Sequence, residues 1–340
     1  MNGKKTTIKD VAKKAGVSIS VVSYILNDTP GQSFPEETRE KIIKIAQELE
    51  YTPSYFAKGM RNRKSNNIGV VLFWRIGDTV ASEVLLGISK ITEKYDNNIV
   101  LCIPSEKKNE FNYAALYKQR QIDGILFISP FSAEKNYDEE KHIKLIKDEK
   151  IPAVIINGIT NDESLNYIYI DFYNSTNMAT RYLAECGHKK IAYFMPSKHE
   201  TAITQVNERL YGFHDAIKSL DTVEGTIVDS EDLDKLAKRI IGGDGPTAVV
   251  LNKIGYAKKF YDGMKKYGVR IPEDLSVIAA SDDITADYFD KPLTTVKIPL
   301  SEIGETGANL LFDILNGENN KQQLKLKNYI IERKSCNVKS

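Results

Sequence analysis

Residues 7–27 carry two short helical patterns on either side of Gly16-Val17, and this arrangement constrains the fold more than any other stretch. Thr7 with Asp10 makes a capping box that opens the first helix, and Ser18 caps the second. Val11, Ala12 and Ala15 face inward at helical spacing, and so do Val21, Val22 and Ile25. Two such helices joined by a glycine-containing turn of three to four residues form a helix-turn-helix, whose second helix enters the DNA major groove. Pro35-Glu36 opens a third helix, whose Ile42, Ile45, Ala46 and Leu49 close a three-helix core.

The charge is distributed to match. The 340-residue chain carries a net charge of only +1. Residues 1–66, however, hold 12 Lys/Arg against 7 Asp/Glu, and the remainder holds 35 against 39. A basic head on a mildly acidic body fits DNA contact confined to the head. No apolar stretch follows Lys4-Lys5 and no run is long enough to span a membrane, so the expectation is a cytoplasmic protein without a secretory signal. Cys102, Cys186 and Cys336 are odd in number and far apart, which reads as reduced thiols. His142, His188, His199 and His214 are equally scattered, and no metal site or cofactor is expected.

From Asn67 the pattern changes to strand alternating with helix. Ile68–Phe73, Asn98–Ile103, Ile125–Ile128, Ala153–Ile156, Ile168–Ile170, Ile191–Phe194, Thr247–Leu251 and Leu275–Ala279 are apolar runs of strand type. Fully apolar strands separated by helices predict parallel sheets covered on both faces. There are too many strands for one small sheet, which predicts two doubly wound lobes. Ligands in such sheets bind beyond the carboxyl ends of the strands.

The order of these features, together with Tyr51-Thr52-Pro53, Ser54-Tyr55-Phe56-Ala57-Lys58-Gly59-Met60-Arg61 and sparser matches near Asp171, Arg209, Asn252, Asp282 and Pro292-Leu293-Thr294-Thr295, resembles the LacI/GalR (lactose/galactose repressor) family of bacterial transcription regulators. The resemblance implies a headpiece with hinge helix over 1–61, a linker over 62–66 and a periplasmic-binding-protein-like, effector-binding body over 67–340. In that body the lobe nearer DNA takes about 67–164 and 297–326, and the distal lobe about 165–296 and 327–340. The three crossings then fall near 160–168, Thr294–Pro299 and Lys325–Tyr329. It also implies a homodimer on a pseudo-palindromic operator in double-stranded DNA, acting as a repressor under a small sugar or sugar-phosphate effector.

For DNA, the resemblance points to Ile19, Ser20 and Tyr24 as base readers, with Ser23 and Asn27 on the same face and Thr7 and Ser18 toward phosphates. Many relatives carry arginine where Tyr24 stands. Tyrosine cannot make arginine's bidentate contact to guanine, so a different base is expected there. Ser54 opens the hinge helix, Ala57 is small enough for two such helices to approach, Lys58 and Arg61 face phosphates, and Met60 is the apolar wedge between base steps. A helix of about seven residues is too short to hold alone in water, so it forms only with support.

For the effector, the resemblance places Phe73, Trp74, Asp78, Asp171, Arg209, Asn252, Ser281 and Asp282 at the cleft. Planar polar groups with an aromatic platform suit a sugar's hydroxyls and C–H faces. Ser281 stands where relatives have a carboxylate, and Lys253 where aspartate is usual. Both changes favour a negatively charged ligand or a smaller pocket. A non-sugar effector or a protein corepressor stays open, and so does a solute-binding or sensory protein, although the headpiece argues against the latter. An enzyme is not expected. The chain has no phosphate-cradling glycine loop and no nucleophile elbow. Asp282 and Asp283, as neighbours on a strand, would point to opposite faces.

Overall fold

The computed structural model describes residues 6–26, 31–51, 64–73, 77–103, 112–130, 137–158, 162–195, 204–318 and 321–339. Asn27, Ser54, Ala57, Lys58, Met60, Arg61 and Trp74 therefore lie outside the described residues. The headpiece comprises α1 (Ile8–Ala15), α2 (Ile19–Leu26) and α3 (Glu36–Glu48). The Asp10 carboxylate accepts the Thr7 N–H at 2.8 Å and the Thr7 hydroxyl at 2.6 Å, closing the N-terminus of α1. Gly16, at φ 73°, ends it. The Ser18 hydroxyl accepts the Val21 N–H at 3.3 Å at the start of α2. Val11, Ala12, Ala15, Val22, Ile25, Ile42, Ile45 and Ala46 make one buried core, with Val21 and Leu49 packed against it.

Among the described residues the body has two sheets of six strands each, in keeping with the two doubly wound lobes that the alternation predicts. In chain order its elements are β1 (Asn67–Leu72), α4 (Thr79–Lys94), β2 (Asn98–Cys102), α5 (Asn112–Lys118), β3 (Gly124–Ile128), α6 (Glu139–Asp148), β4 (Ala153–Ile156) and β5 (Asn166–Tyr169). These are followed by α7 (Phe172–Glu185), β6 (Lys190–Met195), α8 (Thr204–Lys218), β7 (Glu224–Asp229), α9 (Leu233–Ile241), β8 (Ala248–Leu251), α10 (Ala257–Lys266), β9 (Ser276–Ala279) and β10 (Thr294–Lys297). The chain ends with α11 (Leu300–Leu315), β11 (Gln323–Lys325) and β12 (Tyr329–Ile331). The first sheet runs β11-β5-β4-β3-β1-β2 and is parallel throughout. The second runs β12-β10-β9-β8-β6-β7, and only β12 is antiparallel.

One boundary needs correction. The chain crosses between lobes after β5, at about Ile170–Asp171, so the distal lobe does not begin at 165. The reason is pairing: β5 lies parallel to β4 in the first sheet, with Ile156 opposite Ile168. The Asn166 side chain also accepts the Gln322 N–H at 2.6 Å beside β11. The other two crossings lie between β10 and α11 and between β11 and β12. In the first lobe α4 and α11 cover one face through Val84, Ile88, Ile303 and Leu311, all buried. They touch backbone to backbone: a Cβ added at Gly87 would sit 1.9 Å from the Ser301 carbonyl oxygen, and one at Gly304 would sit 2.1 Å from that of Val84.

Candidate functional site

On the headpiece, Ile19 is 43% exposed at the start of α2 with exposed Ser18 and Ser20 beside it, and Thr7 is exposed at the start of α1. Ser23 and Tyr24, one turn on, are half-buried. The Tyr24 ring stacks on Phe34 at 6.3 Å between centroids, which fixes its direction. The side chains that leave the core are thus those at the N-terminus of α2, the end that a recognition helix presents to base edges.

The second site is the cleft where the carboxyl ends of both sheets meet. Arg209, on α8, is only 5% exposed, and its guanidinium lies 4.5 Å from the centre of the Phe172 ring at the start of α7. Its Nη1 donates to the Asn252 side-chain oxygen at 3.4 Å, and the Asn252 amide donates to the Tyr193 hydroxyl at 2.7 Å. Its Nε is buried and has no hydrogen-bond partner among the described residues. Burial lowers the Arg209 pKa to about 10, opposed by Tyr193, Glu208, Tyr256 and Asp78. It stays charged at neutral pH. An unpaired buried donor on a cation is costly. Gly212 makes the position possible: its Cβ would fall 2.1 Å from the Tyr173 carbonyl oxygen, so only glycine lets α8 lie this close to α7.

Asp171 caps α7 by accepting the Asn174 N–H at 3.0 Å, and its other oxygen faces Lys325 at 3.5 Å. Burial raises the pKa of neighbouring Glu208. Across the cleft, Asp78 caps α4 by accepting the Val80 N–H at 3.0 Å, and its charge reaches Arg209. The structure therefore brings Asp78, Asp171, Arg209 and Asn252 around one space.

It gives the remaining positions other partners. Ser281 accepts the Ile254 N–H at 3.0 Å. Asp282 accepts from Thr295 at 2.6 Å and Arg333 at 3.1 Å, and faces Lys297 at 3.6 Å. Lys297 in turn reaches both carboxylate oxygens of Glu83 on α4 at 3.2 Å, so an ion chain links the lobes. Lys253 lies 5.3 Å from the centre of the Tyr256 ring. Phe73 packs into a box with Phe127 at 5.5 Å, Tyr137 at 4.8 Å and His142 at 5.0 Å.

The sequence reading missed Phe172, Tyr193, Glu208, Glu83, Lys297 and Arg333. The first three adjoin flagged positions or sit on recognised strands. The ion chain joins residues some two hundred positions apart and leaves no local signal.

His142 yields a testable consequence. Its ring accepts or donates at 3.0 Å to the Tyr113 hydroxyl, and burial lowers its pKa to about 4, against the pull of Asp138 and Glu139. The folded state thus holds the ring neutral where the unfolded chain would protonate it. Stability is full above the unfolded value of 6.5 and falls as pH drops toward about 4. This costs at most about 3.5 kcal/mol, from about 1.4 kcal/mol per unit of pKa difference. His188, also shifted down by burial, adds to the same slope. Urea midpoints at pH 7 and pH 5 should differ less for His142→Gln than for the parent. An unchanged difference would show that His142 is solvated.

A helix-turn-helix headpiece on a two-lobed α/β body with a polar cleft defines a DNA-binding transcription regulator. Residues 7–54 match the bacterial regulatory proteins of the lacI family, and residues 180–336 match the periplasmic binding protein-like domain. The chain is 30% identical over 338 residues to the HTH-type transcriptional repressor PurR of Vibrio vulnificus, covering 96% of this chain and 97% of that protein. It is 26% identical over 318 residues to catabolite control protein A of Priestia megaterium, covering 92% and 93%. Its fold is like that of the lac repressor dimer bound to operator and the anti-inducer ONPF, with a TM-score of 0.79 at 21% identity, over 98% of this chain and 100% of that one. This protein belongs to the lacI family of bacterial transcription regulators. Among the described residues, no helix is long and apolar enough to cross a membrane.

Proposed function

We propose that this protein is a repressor, a homodimer that binds a pseudo-palindromic operator under the control of a small carbohydrate or carbohydrate phosphate held between its lobes. The observation that carries the effector reading is the buried Arg209, stacked on Phe172 beside Asn252, with an Nε that has no partner among the described residues. A guanidinium fork suits vicinal hydroxyls or a phosphate, and the Phe172 ring supplies an apolar wall. The repressor relative at 30% identity supports the sign of regulation. Dimerisation through the lobe nearer the headpiece is supported by Leu86 on α4 and by Leu101 and Ile103 at the edge strand β2, all exposed on that lobe. The proposed plan keeps 1–61 as headpiece and hinge, 62–66 as linker and 67–340 as body.

The test is a calorimetric titration of the full-length protein with a panel of neutral sugars and their phosphates, beside a mobility shift on a duplex selected by the protein from a random library. We expect one panel member to bind and to change duplex affinity by about five-fold or more, the usual range of such coupling. A panel in which every member leaves both readouts unmoved would remove the carbohydrate assignment.

A further inference from the structure

Phe34 stands just before α3, outside the helix-turn-helix itself, and three constraints hold its ring in place. Pro35 follows it, and a proline restricts the residue before it to extended backbone. Pro35 is also the N-cap of α3, its carbonyl accepting the Thr38 and Arg39 N–H groups at 2.9 and 3.1 Å. The Phe34 side chain is half-buried and packs against the headpiece core. The Tyr24 ring lies on this platform, 6.3 Å between centroids and 22° between planes, within the range of an offset stack. Tyr24 follows Ser20 by four residues on α2, so the two share a helix face. Helical side chains lean over the turn that precedes their own Cα, and for Tyr24 that turn holds the exposed Ile19 and Ser20. The stack ties an aromatic ring near the exposed end of α2 to a fixed point beside α3.

We propose that Phe34 is a positioning residue for base readout, holding the Tyr24 ring so that it meets one base pair in each half-site. The proposal rests on Tyr24 being a base reader. A tyrosine brings a single hydroxyl to base edges and turns about its side-chain torsions. Without support it swings between neighbouring base pairs and discriminates at none of them. Held on Phe34, it keeps its hydroxyl and ring edge against one donor, acceptor or thymine methyl group of the major groove. The platform itself meets no base, so its whole effect on sequence preference passes through Tyr24.

The experiment selects duplexes from a random library with the full-length protein and with each variant, and reads base preference position by position. The parent should prefer one base pair under Tyr24 by about ten-fold or more, in the usual range for one mismatch. Tyr24→Leu marks that position by losing its preference to within about two-fold. Phe34→Leu keeps an apolar side chain on the core but removes the ring. It should lower preference at the same position to about three-fold or less, and leave the other positions and random-duplex affinity within about two-fold. Phe34→Tyr keeps a ring there and should give the parent profile. Added to Tyr24→Leu, Phe34→Leu should cost nothing more, because a residue acting through another has no separate effect once that partner is gone. Phe34→Met repeats the test should the leucine variant lose helical content by circular dichroism. A parent-like profile in the folded Phe34 variants, a loss spread evenly over all positions, or a further loss in the double variant would overturn the proposal. A parent-like profile in Tyr24→Leu would remove the base-reader assignment, and the proposal with it.

Discussion

Arg209→Ala is expected to lower affinity for the proposed effector by about ten- to more than a hundred-fold, because a hydrogen bond to a charged group contributes about 1.5–3 kcal/mol. Effector-free affinity for DNA should stay within about two-fold, since Arg209 contacts no part of the headpiece among the described residues and a ligand shifts an equilibrium only by its differential affinity for two states. Linkage requires the effector and the operator to change each other's binding by one factor. Losing the effector contact therefore loses the response without weakening the DNA-binding form. Arg209→Lys is not a conservative substitution here: the ammonium keeps the charge but lacks the planar fork and stacks poorly on Phe172. It should recover little of the response. The check is a calorimetric titration of both variants with the panel member that binds the parent, beside the mobility shift. Unchanged affinity in Arg209→Ala would make Arg209 a structural cation and dissolve the cleft assignment around it.

The parts of this molecule legible in the sequence are those written in local spacing. The headpiece core follows from the three- and four-residue repeats of Val11, Ala12 and Ala15, of Val22 and Ile25, and of Ile42, Ile45 and Ala46. Most central strands of both sheets are continuous apolar runs, because both of their faces are covered; β10, which begins Thr294-Thr295, is not. Of the edge strands only β2 is legible. β7 leaves four of its six residues exposed, and β11 and β12 have three residues each, too short to show a period. The place of β5 depends on which neighbour it pairs with, and no local pattern carries that.

The cleft divides the same way. Asp78, Asp171 and Asn252 sit at strand or helix ends that the alternation locates, whereas Arg209 lies inside α8 and is found only through the family resemblance. Ser281 and Asp282 sit at such an end too, but their partners, Ile254 for one and Thr295, Arg333 and Lys297 for the other, arrive through tertiary folding.

Gly87→Ala should be the most damaging single methyl group in the body. Its Cβ would lie 1.9 Å from the Ser301 oxygen, 2.8 Å from the Ser301 carbonyl carbon and 2.9 Å from the Glu305 nitrogen. All three are backbone atoms, so no side chain can rotate away and the helices themselves must part. Gly304 holds the reciprocal contact on Val84, so separation at one end strains the other. Overpacking a close-packed core costs about 1–3 kcal/mol or more. With rigid backbone on both sides we expect the upper end, about 3 kcal/mol, which lowers the melting temperature by roughly 6–12 °C for a body of this size. Gly77→Ala is the control, because none of the described residues lies within 4 Å of its Cβ, and it should melt within about 2 °C of the parent. The same pair of helices borders the interlobe ion chain: Glu83 is one turn before Gly87 on α4, and Lys297 enters the crossing that leads to α11. Helices that cannot slide past each other transmit a shift of that crossing to α4 without slack. A Gly87→Ala protein that melts with the parent would show that α4 and α11 do slide, and would remove the mechanical link from the cleft to the lobe that carries the DNA-binding head.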